Sequence, residues 1–202
     1  MSDLSIDPVL PVTTERSTLQ RPRLVLITTC LAGAAVGMYF FSLLAYYART
    51  RAGALDAGES WLDASIIRLQ PPNIALGTLA LSLVFVYWLV WSVRKGDRPN
   101  AYVALVVSLI LGGAAVNMVA FLLADSGLSV RDSLVGMLVY AIGGSFIALL
   151  LAAMVYLLVV GFRLMGTDDP RTITEVATAA GLFWLVTALV YSVIWYALFI
   201  TK

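Results

Sequence analysis

The segment SLVGMLVYAIGGSFIALLLAAMVYLLVVGF, Ser133 to Phe162, runs for 30 residues without a Lys, Arg, Asp or Glu. A bilayer hydrocarbon core is about 30 Å thick and takes about 20 apolar residues in a helix to cross. At about 1.5 Å per residue this segment reaches roughly 45 Å, so it spans with length to spare and must tilt or project. Reading outward from it, four more stretches of the same kind appear, from about Leu24 to Tyr47, Ile74 to Val93, Ala101 to Ala124 and Val176 to Ile200. None of them contains an ionisable group other than tyrosine and the one cysteine, Cys30, which reads as a small buried apolar residue. The pattern predicts an all-α fold, a polytopic membrane protein built as a five-transmembrane-helix bundle over residues 21–202, behind a polar tail at residues 1–20. An odd number of spans and no internal repeat argue against a duplicated transporter half.

Composition points the same way. Of 202 residues, 61% are hydrophobic and 12% charged, where soluble domains lie near half apolar and about a quarter charged. The chain has no histidine, which excludes imidazole haem ligation, histidine zinc sites and His-activated nucleophiles. A single cysteine excludes an internal disulfide, a CxxC pair and an iron–sulfur cluster. Thirteen basic residues against twelve acidic give a net charge of +1, with no clustered cationic surface for nucleic acid. Such a chain has no evident means of redox or hydrolytic chemistry of its own.

The connectors give an orientation. With alternating spans, Arg16, Arg21, Arg23, Arg94, Lys95, Arg98, Arg163 and Arg171 share one side, eight basic residues against the five of Arg49, Arg51, Arg68, Arg131 and Lys202. Basic residues favour the cytoplasm, so the N-terminus is expected inside and the C-terminus outside. The opening MSDLSIDPVLPVTTERSTLQ has acids and two prolines and reads as a polar tail rather than a signal peptide. Three connectors are short turns. The first, Ala48 to Asn73, is long, and its SWLDASIIRL reads equally as an interfacial amphipathic piece ended by Pro71 and Pro72 or as plain loop.

Small residues are what membrane helices use to approach closely. Gly33 and Gly37, Gly112 and Gly113, and Gly136, Gly143 and Gly144 are therefore the expected packing or partner-contact positions. The hydroxyls within the spans are expected to bond their own helix. Asn117 differs, because an amide in hydrocarbon needs a partner on another helix. Transporters and pumps depend on ionisable groups inside the membrane, and these spans contain none. Arg21, Arg23, Arg94, Lys95 and Arg98 are candidate contacts for anionic lipid head groups, alongside their plain role as a positive-inside signal.

Several segments then fall into a familiar order. RPRLV (residues 21–25) precedes the first span, which continues into YFFSLLAYYARTRAG (39–53). PPNIALGT (71–78) leads the second, RKGDRPNA (94–101) forms a basic turn, LSVRDSLVGMLVYAIGGSF (128–146) enters the long span, and AAGLFWLVTALVYSVIWYALF (179–199) closes the chain. This layout resembles subunit III of the haem-copper cytochrome c oxidases, in the five-helix bacterial form and nearest the actinobacterial branch. Pro72 and Thr78 match the family's P-L-A-L-L-N-T entry, with Gly77 where Asn is usual; Gly136 and Gly144 fall at family glycines and Trp184 at the family tryptophan. The departures run one way. Ala35 stands where the family has a buried glutamate, Phe146 to Leu149 replace its H-G-x-H element, and Leu185 and Ala188 occupy the His and Asp positions of its W-H-F-V-D element. Of the Q-x-x-E/W region of the middle helix, at most Asn117 remains.

The resemblance implies a non-catalytic subunit of the bacterial plasma membrane that packs against and stabilises catalytic subunit I in aerobic electron transport. It implies no cofactor bound by this chain, with haem and copper in the partner, and phospholipid held between helices. The lost carboxylate and histidines remove the groups for a proton-supply role and leave a scaffold. The competing readings are an anchor or assembly subunit of another membrane complex and a small neutral-solute channel.

Overall fold

The computed structural model describes residues 24–58, 61, 69–128, 133–166 and 169–201. The tail at residues 1–20, Arg21, Arg23, Arg131 and most of SWLDASIIRL lie outside the described residues.

Five helices follow one another: α1 (Leu24–Asp56), α2 (Gln70–Lys95), α3 (Arg98–Asp125), α4 (Leu134–Met165) and α5 (Pro170–Trp195). The last of these widens into a π-helical turn, Tyr196–Ile200, closed by Thr201 N–H donating to the Tyr196 carbonyl at 3.2 Å. Each of the five is long and apolar enough to cross a membrane. The described residues contain no strand.

The helix ends follow local chemistry. Pro71, Pro99 and Pro170 stand in the first turns of α2, α3 and α5, where a missing N–H costs nothing. Asp97 Oδ1 accepts the Asn100 N–H at 3.3 Å to cap α3, and Ser133 Oγ accepts the Gly136 N–H at 3.0 Å to cap α4. Between α2 and α3 only Gly96 and Asp97 remain; Gly96 adopts φ 74°, a left-handed turn that a side chain would strain.

One expectation about the connectors needs correction. The first span does not stop near Tyr47, because α1 continues to Asp56 and carries Arg49 and Arg51 within it. Ala, Arg and Leu are good helix formers, and nothing between Ala48 and Asp56 breaks the backbone. Pro71 and Pro72 stand in the first turn of α2, and the SWLDASIIRL piece before them lies mostly outside the described residues.

Helices α2, α3, α4 and α5 form a ring in which each packs on the next and α5 closes back on α2. Helix α1 stands outside this ring, packed on α5 and grazing α4. Direction is fixed by cross-helix contacts. Trp184 meets Ser82 and Trp195 meets Asn73, so α5 runs against α2. Thr29 meets Tyr156 and Tyr39 meets Ser145, so α1 runs against α4. The start of α1 and the end of α5 therefore lie at opposite ends of the bundle.

Candidate functional site

The glycines fix which faces are closed. A Cβ on Gly33 would lie 3.3 Å from Val186 Cγ2, so α1 meets α5 there. On Gly112 it would lie 2.7 Å from Trp184 Cη2 and 3.3 Å from Met154, and this close approach lets the indole into the centre of the ring. On Gly143 it would lie 2.8 Å from Leu123 Cδ2, at the α3–α4 contact. Gly136 is buried in the first turn of α4.

Gly37, Gly113 and Gly144 behave differently, with nothing within 4 Å of a built Cβ. Successive residues on a helix are about 100° apart, so Gly112 and Gly113, or Gly143 and Gly144, cannot both face one neighbour. Each pair has one inward and one open member.

Two further glycines carry close contacts, Gly181 in the small-residue run that opens the fifth span and Gly161, which the small-residue clusters did not single out. A Cβ on Gly161 would meet Leu105 Cδ2 at 2.6 Å, and one on Gly181 would meet Val90 Cγ2 at 3.0 Å. Gly161 had a signal in the sequence: it lies 18 residues after Gly143, which is about five helical turns, so both project from one face of α4.

The polar side chains fall into two groups. At the α2–α5 seam, Trp184 Nε1 donates to Ser82 Oγ at 2.8 Å, Tyr191 OH donates to the Pro72 carbonyl at 3.2 Å, and Trp195 Nε1 donates to Asn73 Oδ1 at 2.7 Å. Trp184, Tyr191 and Ser82 are all buried. Tyr140 OH likewise donates to the Leu123 carbonyl at 2.7 Å, near the C-terminal end of α3 where carbonyls lack helical partners. Elsewhere, the hydroxyls of Ser42, Thr78, Ser108, Thr187 and Ser192 each donate to the carbonyl four residues back. Asn117 has no hydrogen bond to any described residue and is exposed on the outer face of α3, so the expected partner on another helix of this chain is absent.

The α1–α4 flank is open by comparison. Tyr39 OH and Ser145 Oγ share an exposed hydrogen bond of 2.8 Å, next to exposed Gly144 on α4; Gly37 lies about 200° around α1 from Tyr39 and is half-buried. Of the 33 residues of α1 only Thr29, Gly33, Phe40, Leu44 and Tyr47 are buried. Ala35 and Leu185 are exposed, whereas Phe146, Leu149 and Ala188 are buried.

At the α2 C-terminal end, Arg94, Lys95 and Arg98 are exposed. Arg94 Nη2 donates to Thr178 Oγ1 at 3.4 Å, and Lys95 Nζ sits 4.2 Å from the Trp91 ring centre. At the other end, a cavity of about 460 Å³ is lined by Thr50, Gly53, Ala54, Ala57, Trp61, Leu134 and Val135. Its Trp61 donates from Nε1 to Tyr47 OH at 3.1 Å, and the buried Arg51 Nε nearby on α1 has no hydrogen-bond partner. Among the described residues no group of three or more His, Cys, Asp or Glu is placed to hold a metal ion.

Compared with known proteins, the chain matches no family model and no curated sequence.

Proposed function

We propose that this chain is a non-catalytic, subunit III-like component of a haem-copper oxidase complex in a bacterial plasma membrane. In this reading the N-terminus is cytoplasmic and the protein scaffolds the catalytic subunit, which carries haem and copper. The observation that carries it is the open α1–α4 flank. A long helix with most of its surface uncovered, an exposed Tyr39–Ser145 pair and, next to it on α4, exposed Gly144 open to close approach make a surface prepared for another helix bundle.

Phospholipid contact belongs to the same reading. The cavity between α1 and the start of α4 would take an acyl chain against Leu134 and Val135. Arg94, Lys95 and Arg98 would meet anionic head groups at the opposite surface.

An anchor role in a different complex shares the flank and differs in the partner. A neutral-solute channel draws little support, because the hydroxyls named above are taken up by their own helix carbonyls instead of lining a common path.

The test is co-purification through a tagged chain from its native membrane. Wild type should bring a larger haem-bearing subunit, and the variant Gly144→Leu should lose it while remaining folded. Retention of the partner by the variant would remove the flank from the interface. A partner without haem would favour the anchor reading.

A further inference from the structure

We propose that the outer face of α3 pairs with the same face of a second copy of this chain, held in register by Asn117. Seven residues of α3, namely Val103, Val106, Ile110, Gly113, Asn117, Ala120 and Ala124, recur at alternating steps of three and four. Six of them are exposed and Gly113 is half-buried with no atom near its built Cβ, so the row faces outward along its whole length. That spacing is the heptad of a two-stranded coiled coil, with Val103, Ile110, Asn117 and Ala124 at one core position and Val106, Gly113 and Ala120 at the other.

Asn117 selects the occupant. It lies five to six residues from the middle of α3 (Arg98–Asp125), which is roughly 8 Å along the axis and inside the about 15 Å half-thickness of the hydrocarbon. No described residue of its own chain meets the amide. An unrelated helix would have to bring a polar group to that depth. A second copy does so necessarily: two copies inserted the same way are parallel, and a twofold axis along the membrane normal puts Asn117 opposite Asn117 at one depth. An amide carries both a partial positive N–H and a partial negative oxygen, so the pair is electrostatically self-complementary and forms reciprocal hydrogen bonds. Gly113 and Ala120, one turn to either side, let the backbones approach closely enough for the amides to meet.

Helix α3 stands across the ring from α5 and α1, so this face and the α1–α4 flank can be occupied together. The pairing does not depend on what the flank binds.

The full chain, reconstituted in phosphatidylcholine vesicles with donor- and acceptor-labelled copies, should transfer energy in a manner that falls with protein-to-lipid dilution. Asn117→Leu should weaken pairing tenfold or more, and Asn117→Gln should retain most of it. In a Cys30→Ser background, Ile110→Cys should form a disulfide between copies, and Val155→Cys, exposed on α4, should not. The cross-link reads the face with Asn117 intact, so an effect of Asn117→Leu on folding does not confuse the result. A chain that stays monomeric at every dilution, or wild-type pairing by Asn117→Leu, would overturn the proposal. So would loss of a different membrane protein on Asn117→Leu with no homodimer present.

Discussion

The α2–α5 seam and the α1–α4 flank are built from similar residues and treat them in opposite ways. At the seam, Trp184, Tyr191 and Trp195 each direct a polar atom to a specific acceptor on α2, and the Trp184 ring fills space made by Gly112. Eleven of the 26 residues of α5 are buried. At the flank, the Tyr39–Ser145 bond is exposed, Gly144 beside it faces nothing, and α1 buries only five residues of 33. Lipid tails are as apolar as Leu, so burying apolar surface gives little drive for helix association within a membrane; close packing and directed hydrogen bonds supply it. The seam has both within one chain, whereas the flank has the small residues and lacks the helix that would use them.

The sharpest way to break the seam is Trp184→Ala, which leaves a void beside Gly112 and Met154; we expect a loss of about 3 kcal/mol in a mixed-micelle unfolding titration. Gly161→Leu drives a side chain into Leu105, and a cost of about 1–3 kcal/mol is expected from the same titration. Gly143→Leu should behave alike through Leu123, which is why it cannot report on a partner. Trp195→Phe removes one exposed hydrogen bond to Asn73 and should cost about 0.6 kcal/mol, near the mean for interhelical pairs. At the flank, Gly144→Leu should shift the stability of the isolated chain by less than about 0.5 kcal/mol. A large loss there would mean that the flank is internal and the contrast with the seam is false.

Much of this architecture was legible in the sequence. Five uncharged stretches near or above the bilayer-crossing length gave five helices, but α2, α3 and α5 begin earlier than those stretches, because Pro71, Pro99 and Pro170, which read as turn residues, lie inside their first turns. The end of α1 was not legible, because Arg49 and Arg51 read as connector although arginine continues a helix readily and can reach toward the membrane surface from within it. The sequence also could not separate Gly112 from Gly113 or Gly143 from Gly144. Adjacent positions share composition and differ only in azimuth, and azimuth is set by which helices surround them. Asn117 shows the same limit: its need for a partner was evident from residue type, but its outward direction came only from how α3 packs on α2 and α4.

The central claim is that the open flank is shaped for a subunit that does the redox chemistry this histidine-free chain lacks. The most direct measurement is the reduced-minus-oxidised absorption spectrum of the complex isolated through this chain from its native membrane. The account predicts haem bands in stoichiometric amount with the chain. A pure, stable preparation with no haem would contradict it.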